Sequence, residues 1–307
     1  MSDVIGFIGL GNMGMPMTEQ LLKAGHQVKA FDMSAGALAK AEAMGASIAG
    51  SIADAAKGAS VVITMLPASK HVRAVYLGAD GLIAAAAPGT LLIESSTIDV
   101  DTSREVGSLA AEAGLEMIDA PVTGGVMAAR VGKLNFIVGG TEDAFERAKP
   151  ILGVMGKNLL YAGPQGSGIG VKICNNMCLA VSMIAAAETL MLAKRLGLDV
   201  KRTHEIISNA SGQNWALSNY APLPDLVEGV PANNKYKPGF TAEMMRKDLR
   251  LAMDAVASVD ASTPMGAQAL AVYSLFCANG DAATDYSGIS KLVGGGAWDY
   301  PFDPSPK

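Results

Sequence analysis

The 307-residue sequence predicts an α/β fold, with an N-terminal half on a mostly parallel sheet and an all-α C-terminal half. Three observations point this way. Short β-branched apolar runs alternate with alanine-rich helical stretches up to about residue 160. No convincing strand follows Gly163-Pro164, and the stretch from Ile169 to Leu196 is apolar nearly all round. A chain of this length divides naturally into two domains, here residues 1–164 and 165–307.

The apolar runs are Val4–Ile8, Gln27–Phe31, Val61–Met65, Leu91–Glu94, Glu116–Asp119 and Asn135–Val138. Helical segments such as Pro16–Lys23, Ala35–Met44 and Thr102–Glu112 lie between them, a βαβ alternation that implies parallel strands and right-handed crossovers. Gly25, Gly45, Gly58 and Gly114 stand where helix C-caps are expected. Beyond the boundary, Ile169–Leu196 reads as a helix buried on most sides. Asp199–Ala210, Ala242–Ala257 and Pro264–Ala278 read as further helices. The segment 219–239 holds Pro222, Pro224, Pro231 and Pro238 and reads as an ordered loop, and the tail from Asp299 as frayed.

Half the residues are hydrophobic and 17% are charged, the profile of an ordered globular chain. A net charge of −5 without basic clusters argues against a nucleic-acid partner. Met1-Ser2-Asp3 leads into the first run without a charged n-region, so no secretory signal is expected. Ser182, Glu188 and Thr189 interrupt the greasiest stretch, which therefore reads as a core helix and not as a membrane span. Three cysteines, Cys174, Cys178 and Cys277, suit buried thiols in a reducing compartment, hence the cytoplasm. Cys174 and Cys178 would share a helix face, but no neighbouring ligand pattern supports a metal.

Gly9-Leu10-Gly11-Asn12-Met13-Gly14 follows the first run and opens a helix. In that context the glycines serve a tight turn, close approach of a pyrophosphate and helix packing, which makes the N-terminal half Rossmann-type. The helix N-terminus adds free N–H groups and a positive dipole end. Asp32, 18 residues after Gly14, can accept hydrogen bonds from the adenosine ribose and would repel a 2′-phosphate, which favours NAD over NADP. Met65-Leu66-Pro67 and Ser95-Ser96-Thr97 fall at the carboxyl ends of later strands, where ligands of open α/β sheets bind.

Asp119-Ala120-Pro121-Val122-Thr123-Gly124-Gly125 ends a strand on the same edge. Its glycines expose backbone N–H groups and Thr123 adds a hydroxyl, a pattern that can hold a substrate carboxylate or serve only as a turn. Gly166-Ser167-Gly168-Ile169-Gly170-Val171-Lys172 begins the long helix, with Asn175 and Asn176 three and four residues after Lys172. A lysine buried on an apolar helix is costly as a cation, so its pKa can fall and it can exchange a proton with a substrate hydroxyl. An ordinary salt-bridged lysine would look the same. His26, His71 and His204 lack neighbours suggesting a triad or a metal site.

Together the fingerprint, the turn and the lysine-asparagine segment resemble the β-hydroxyacid dehydrogenase family over nearly the whole chain. The family usually has serine at the position of Thr123, so the hydroxyl is kept. The stretch from Ser211 through Trp215 and Tyr220 to Asp248 and Leu249 resembles the branch acting on 3-hydroxyisobutyrate. Relatives acting on phosphogluconate carry His-Asn in place of Asn175-Asn176, and imine-reducing relatives lack the lysine. The resemblance implies Lys172 as acid/base with Asn176, and substrate contacts by Thr123, Gly124, Gly125 and Trp215. It implies cofactor contacts by Leu66, Pro67, Thr97 and Lys247 beside the fingerprint residues. The expected activity is NAD-dependent oxidation of 3-hydroxyisobutyrate to methylmalonate semialdehyde, a step of valine breakdown. Reduction of tartronate semialdehyde, or the oxidation of another small β-hydroxy acid, is the alternative. A homodimer or homotetramer is expected.

Overall fold

The computed structural model describes residues 3–294; the tail expected to fray lies outside the described residues. Packing divides the chain into two compact units, Met1–Lys172 and Ile173–Lys307.

The first unit opens with β1 (Val4–Ile8), α1 (Gly14–Lys23), β2 (Gln27–Phe31), α2 (Ala35–Ala43) and β3 (Ser47–Ile48). It continues through α3 (Ile52–Ala56), β4 (Val61–Thr64), α4 (Ser69–Leu77), α5 (Leu82–Ala85) and β5 (Leu91–Glu94). Next come α6 (Val100–Glu112), β6 (Glu116–Asp119), β7 (Val122–Thr123) and α7 (Gly125–Arg130). β8 (Leu134–Gly139), α8 (Glu142–Met155) and β9 (Gly156–Gly163) complete it.

The strands form one sheet in the order β3-β2-β1-β4-β5-β6-β8-β7, with β9 also paired to β8. From β3 to β6 every pairing is parallel. β8 runs antiparallel to β6 and β7 and parallel to β9. β4 and β5 are buried at every residue, as parallel strands covered on both faces must be. Ile5, Phe7, Ile63, Ile93, Ile118 and Phe136 belong to the core around them. Strand order reverses between β2 and β4 on either side of β1, so the carboxyl ends of β1 and β4 flank a switch-point crevice.

Three strands were not anticipated. β3 and β7 have two residues each, too few for a period-2 pattern. β9 has a single buried residue, Gly156, and so carries no buried alternation to read.

The last secured feature of this unit is the start of α9 (Ser167–Arg195), a helix that crosses the division. Buried Asp119, at the end of β6, accepts from Gly166 N at 2.6 Å and from Ile169 N at 2.8 Å. The carboxylate thus satisfies first-turn donors that the helix cannot satisfy itself. The approach is possible because Gly168 has no side chain: a Cβ there would sit 2.4 Å from Ile137 O and 2.8 Å from Asp119 Oδ2.

In the second unit α9 is followed by α10 (Val200–Ser208), α11 (Trp215–Asn219), α12 (Ala242–Ser258), α13 (Pro264–Phe276) and α14 (Ile289–Gly294). Ala180, Met183, Ala187, Met245, Leu249 and Tyr273 lie in its core. α9 is long and apolar enough to cross a membrane by length and composition, but one side of it belongs to this core. Its expected burial on most sides is not met, because the neighbouring helices cover only that side. Val171 and Leu192 are exposed, and so are Cys174 and Cys178, which corrects the expectation of buried thiols; Cys277 is buried.

The proline-bearing loop is ordered by Asp285. Its Oδ2 accepts from Tyr220 Oη at 3.1 Å, Gly239 N at 3.0 Å and Phe240 N at 3.2 Å. Its Oδ1 accepts from Ser287 N and Ser287 Oγ.

Gly168 and Gly170 make a matched pair. Gly168→Ala should lower unfolding free energy by about 1–3 kcal/mol through overpacking. Nothing lies within 4 Å of a Cβ at Gly170. Gly170→Ala should therefore be neutral or stabilising by up to about 1 kcal/mol. Denaturant titration of both variants checks this.

Candidate active site

The fingerprint turn is built by contacts that only glycine permits. Gly9 has φ +95°, and a Cβ on it would lie 2.3 Å from Met65 O. A Cβ on Gly14 would lie 1.9 Å from Gly9 O. A Cβ on Gly11 would meet no protein atom within 4 Å, so internal packing does not require that glycine. No side chain caps the N-terminus of α1 at Met13, and Asn12 is exposed beside it. A pyrophosphate fits this combination of an uncapped helix start and a bare backbone approach.

Asp32 joins the end of β2 to this turn. Its Oδ2 accepts from Leu10 N at 2.6 Å and its Oδ1 from Ser34 N at 2.7 Å. A carboxylate offers about four acceptor positions, so both oxygens can still receive ribose hydroxyls. Ser34, not Asp32, caps α2.

The turns after β4 and β5 are tied to each other. Leu66 N donates to Ser96 Oγ at 2.7 Å, and Ser96 N donates to Glu94 Oε1 at 2.9 Å. Thr97 is half-buried and Pro67 exposed at the same edge. Glu94 is fully buried, and burial pushes its carboxyl up to about 8, against hydrogen bonds from Ser96 and Thr64 and with added repulsion from Asp119.

Thr123 Oγ1 accepts from Asn135 Nδ2 at 3.2 Å, and Asn135 Oδ1 accepts from Asn158 Nδ2 at 2.7 Å. Gly124 and Gly125 follow at φ +113° and +67°. Thr123 is paired with Asn135 on β8, and Gly168 packs on Ile137 two residues along that strand. The start of α9 therefore lies against the strand that holds the Thr123 turn. Lys172 is one helical turn beyond Gly168 and only 8% exposed.

In the second unit, buried Asn176 donates from Nδ2 to Asp248 Oδ2 at 2.5 Å and accepts from Asn175 Nδ2 at 2.9 Å. Lys247 Nζ stands 3.8 Å from Asp248 Oδ1. Trp215 is 54% exposed and stacks on Tyr220 at 5.5 Å, and Tyr220 stacks on Tyr286 at 5.3 Å.

The N-terminal part, residues 4–163, matches the family model described as the NAD binding domain of 6-phosphogluconate dehydrogenase. Residues 166–293 match that described as NAD-binding of NADP-dependent 3-hydroxyisobutyrate dehydrogenase. The 3-hydroxyisobutyrate dehydrogenase of Pseudomonas aeruginosa is 48% identical over 95% of this chain and 98% of its own. The chain belongs to the 3-hydroxyisobutyrate dehydrogenase family. An NAD-dependent L-serine dehydrogenase of the same organism is also 48% identical, over 94% of this chain and 97% of its own. The solved Mycobacterium tuberculosis 3-hydroxyisobutyrate dehydrogenase with L-serine superposes with TM-score 0.92 at 44% identity, covering 95% of this chain and 99% of that one. Membership makes this chain an oxidoreductase that uses NAD.

Of the buried acids Glu94, Asp119, Asp248 and Asp285, all outside the expected set, Asp248 and Glu94 bear on the site most directly. Asp248 appears in the sequence only as part of a longer resemblance, and its tie to Asn176 spans 72 residues. Glu94 reads there simply as the end of an apolar run. His204, by contrast, is structural: it is buried, with Nε2 2.9 Å from Leu217 O. Among the described residues no three His, Cys, Asp or Glu side chains group as metal ligands.

Asp248→Ala should lower stability by about 1–3 kcal/mol, because it leaves the Asn176 amide short of a buried partner. The double variant with Asn176→Ala should recover part of that loss in a denaturant-based mutant cycle.

Proposed function

We propose that this enzyme oxidises the primary alcohol of a small β-hydroxy acid, HO–CH2–CH(R)–COO⁻, to the aldehyde, with Lys172 taking the hydroxyl proton. The observation that carries the reading is the buried Lys172, one turn from the Asp119-capped start of α9 that packs on the strand beside Thr123.

When bound, NAD supplies the hydride acceptor. Gly9, Gly11, Asn12, Met13 and Gly14 would hold its pyrophosphate, Asp32 its ribose, and Leu66, Pro67 and Thr97 its nicotinamide half, with Lys247 as a further contact. Although the second family model is described for NADP-dependent relatives, Asp32 favours NAD, because its carboxylate would face a 2′-phosphate. Thr123, fixed by Asn135, can donate its hydroxyl proton to the substrate carboxylate alongside the N–H groups of Gly124 and Gly125. Lys172 in its neutral form accepts the proton as the hydride departs, and returns it in the reverse direction. Asn176, one turn on, is held rigid by Asp248 and Asn175 and orients this exchange. Trp215 offers an apolar face to the substituent R.

With R a methyl group the substrate is 3-hydroxyisobutyrate and the product methylmalonate semialdehyde, a step of valine breakdown. With R an ammonium group it is L-serine, a second reading favoured by the 48% identical L-serine dehydrogenase. The three free cysteines support a cytoplasmic enzyme, and the exposed apolar flank of α9 supports a homodimer or homotetramer.

Steady-state rates with 3-hydroxyisobutyrate, L-serine and tartronate semialdehyde, each with both cofactors, test the assignment. The highest kcat/KM is expected for 3-hydroxyisobutyrate with NAD; a higher value for L-serine reverses the choice of R. Lys172→Ala should lower kcat by about 10²–10⁴-fold while NADH still binds. Lys172→Arg should recover little, since a guanidinium does not accept the proton. Near-native turnover by a folded Lys172→Ala enzyme would remove this lysine from the mechanism. Asp32→Asn should shift the NAD/NADP preference toward NADP by about tenfold, equivalent to about 1.4 kcal/mol.

A further inference from the structure

Glu94 is a fully buried acid that the proposed chemistry does not use. It closes β5, and its Oε1 accepts from Ser96 N at 2.9 Å. Thr64 Oγ1, at the end of β4, lies 3.5 Å from the same oxygen and 2.9 Å from the Tyr76 hydroxyl of α4. Ser96 in turn receives Leu66 N at 2.7 Å. One carboxyl group therefore sets the spacing of two turns that both lie at the carboxyl edge of the sheet. Its second oxygen, Oε2, makes no hydrogen bond among the described residues.

We propose that Glu94 is a positioning residue for the dinucleotide, holding the turns after β4 and β5 in register through Ser96. The idea rests on the use of NAD by this family and on placement of its nicotinamide half at those turns. Burial supports the neutral form: the titratable groups that face Glu94 are Tyr76 from α4 and Asp119 from β6, and neither is a cation. Its ordinary carboxyl value is pushed up to about 8, so ionisation falls within a workable range. Ionised, Glu94 would place an uncompensated charge two strands from β1, about 10 Å in a sheet with this strand order. A pyrophosphate at the fingerprint turn would be repelled, and a buried anion with one unpartnered oxygen would draw water between the turns.

The sign is fixed by the proton. NADH should bind tightly below about pH 7, where Glu94 is neutral, and more weakly as pH rises through about 8. Fluorescence titration of NADH, at several values between about pH 6 and about pH 10, measures this directly. The native enzyme should lose roughly tenfold in affinity across the range, the scale of one hydrogen bond. Glu94→Gln, neutral and of the same shape, should keep the low-pH affinity throughout and show no such step. Glu94→Ala should bind roughly tenfold more weakly at every pH, by the same scale. Its fold is checked by circular dichroism; if it fails to fold, the Gln variant alone decides. Superimposable pH profiles for native and Glu94→Gln enzymes would overturn the proposal. Failure of the native enzyme to bind NADH at about pH 6.5 would instead overturn the cofactor reading on which it rests.

Discussion

The first unit depends on the grip of Asp119 on the start of α9. The carboxylate is buried at the end of β6 and receives Gly166 N and Ile169 N. Burial raises its pKa, and those backbone donors oppose the shift, so a group that would be expensive to bury is made useful by a helix end that needs an acceptor. Gly168 and Gly139 exist in that joint for steric reasons, since a Cβ on either would strike Asp119 or the backbone around it. Two motifs that read separately in the sequence, the turn beginning at Asp119 and the glycine-rich segment before Lys172, are thus the two sides of one contact. The position of Lys172 follows from it.

The helical unit repeats the device with a different geometry. Asp285 is buried and gathers backbone donors from Gly239, Phe240 and Ser287 together with the Tyr220 hydroxyl. Burial again raises its pKa, and Ser287, Phe240 and Gly239 oppose the shift. In both units a carboxylate surrounded by N–H groups does what a strand ladder cannot, fixing irregular backbone. Tyr220, anchored in this way, carries the exposed ring of Trp215 on its face. Glu94 differs because it has fewer donors and an unsatisfied oxygen, and its proton is held correspondingly harder.

Much of the fold was legible because its signals are local. The runs that became β1, β2, β4, β5, β6 and β8 are short, β-branched and bounded by glycines. The fingerprint turn carries its mechanism in its spacing, and Gly9 and Gly14 are glycines for the packing reasons the sequence suggests. What was not legible is pairwise and long-range. Nothing near residue 119 announces a partner 47 residues later, and nothing near Asn176 points to Asp248. β9 lacked a pattern because only Gly156 in it is buried. The all-round apolarity of α9 suggested burial, but composition cannot say how many sides the neighbouring helices cover, and Cys174 and Cys178 lie on a side they leave open.

The Asp119 joint also sets an order of events as the chain is made. Asp119 leaves the ribosome 47 and 50 residues ahead of its two donors. At about 5–20 residues per second that interval is roughly 2–10 s. During it the sheet can assemble as far as β9, which ends at Gly163, but the Asp119 carboxylate must remain hydrated until its two donors emerge. Closure waits for the first turn of α9, whose later turns belong to the other unit. A fragment ending before Gly166 would reproduce the strands yet stay permanently in that unfinished state, whereas one extended through Ile169 would carry both donors needed to seal it.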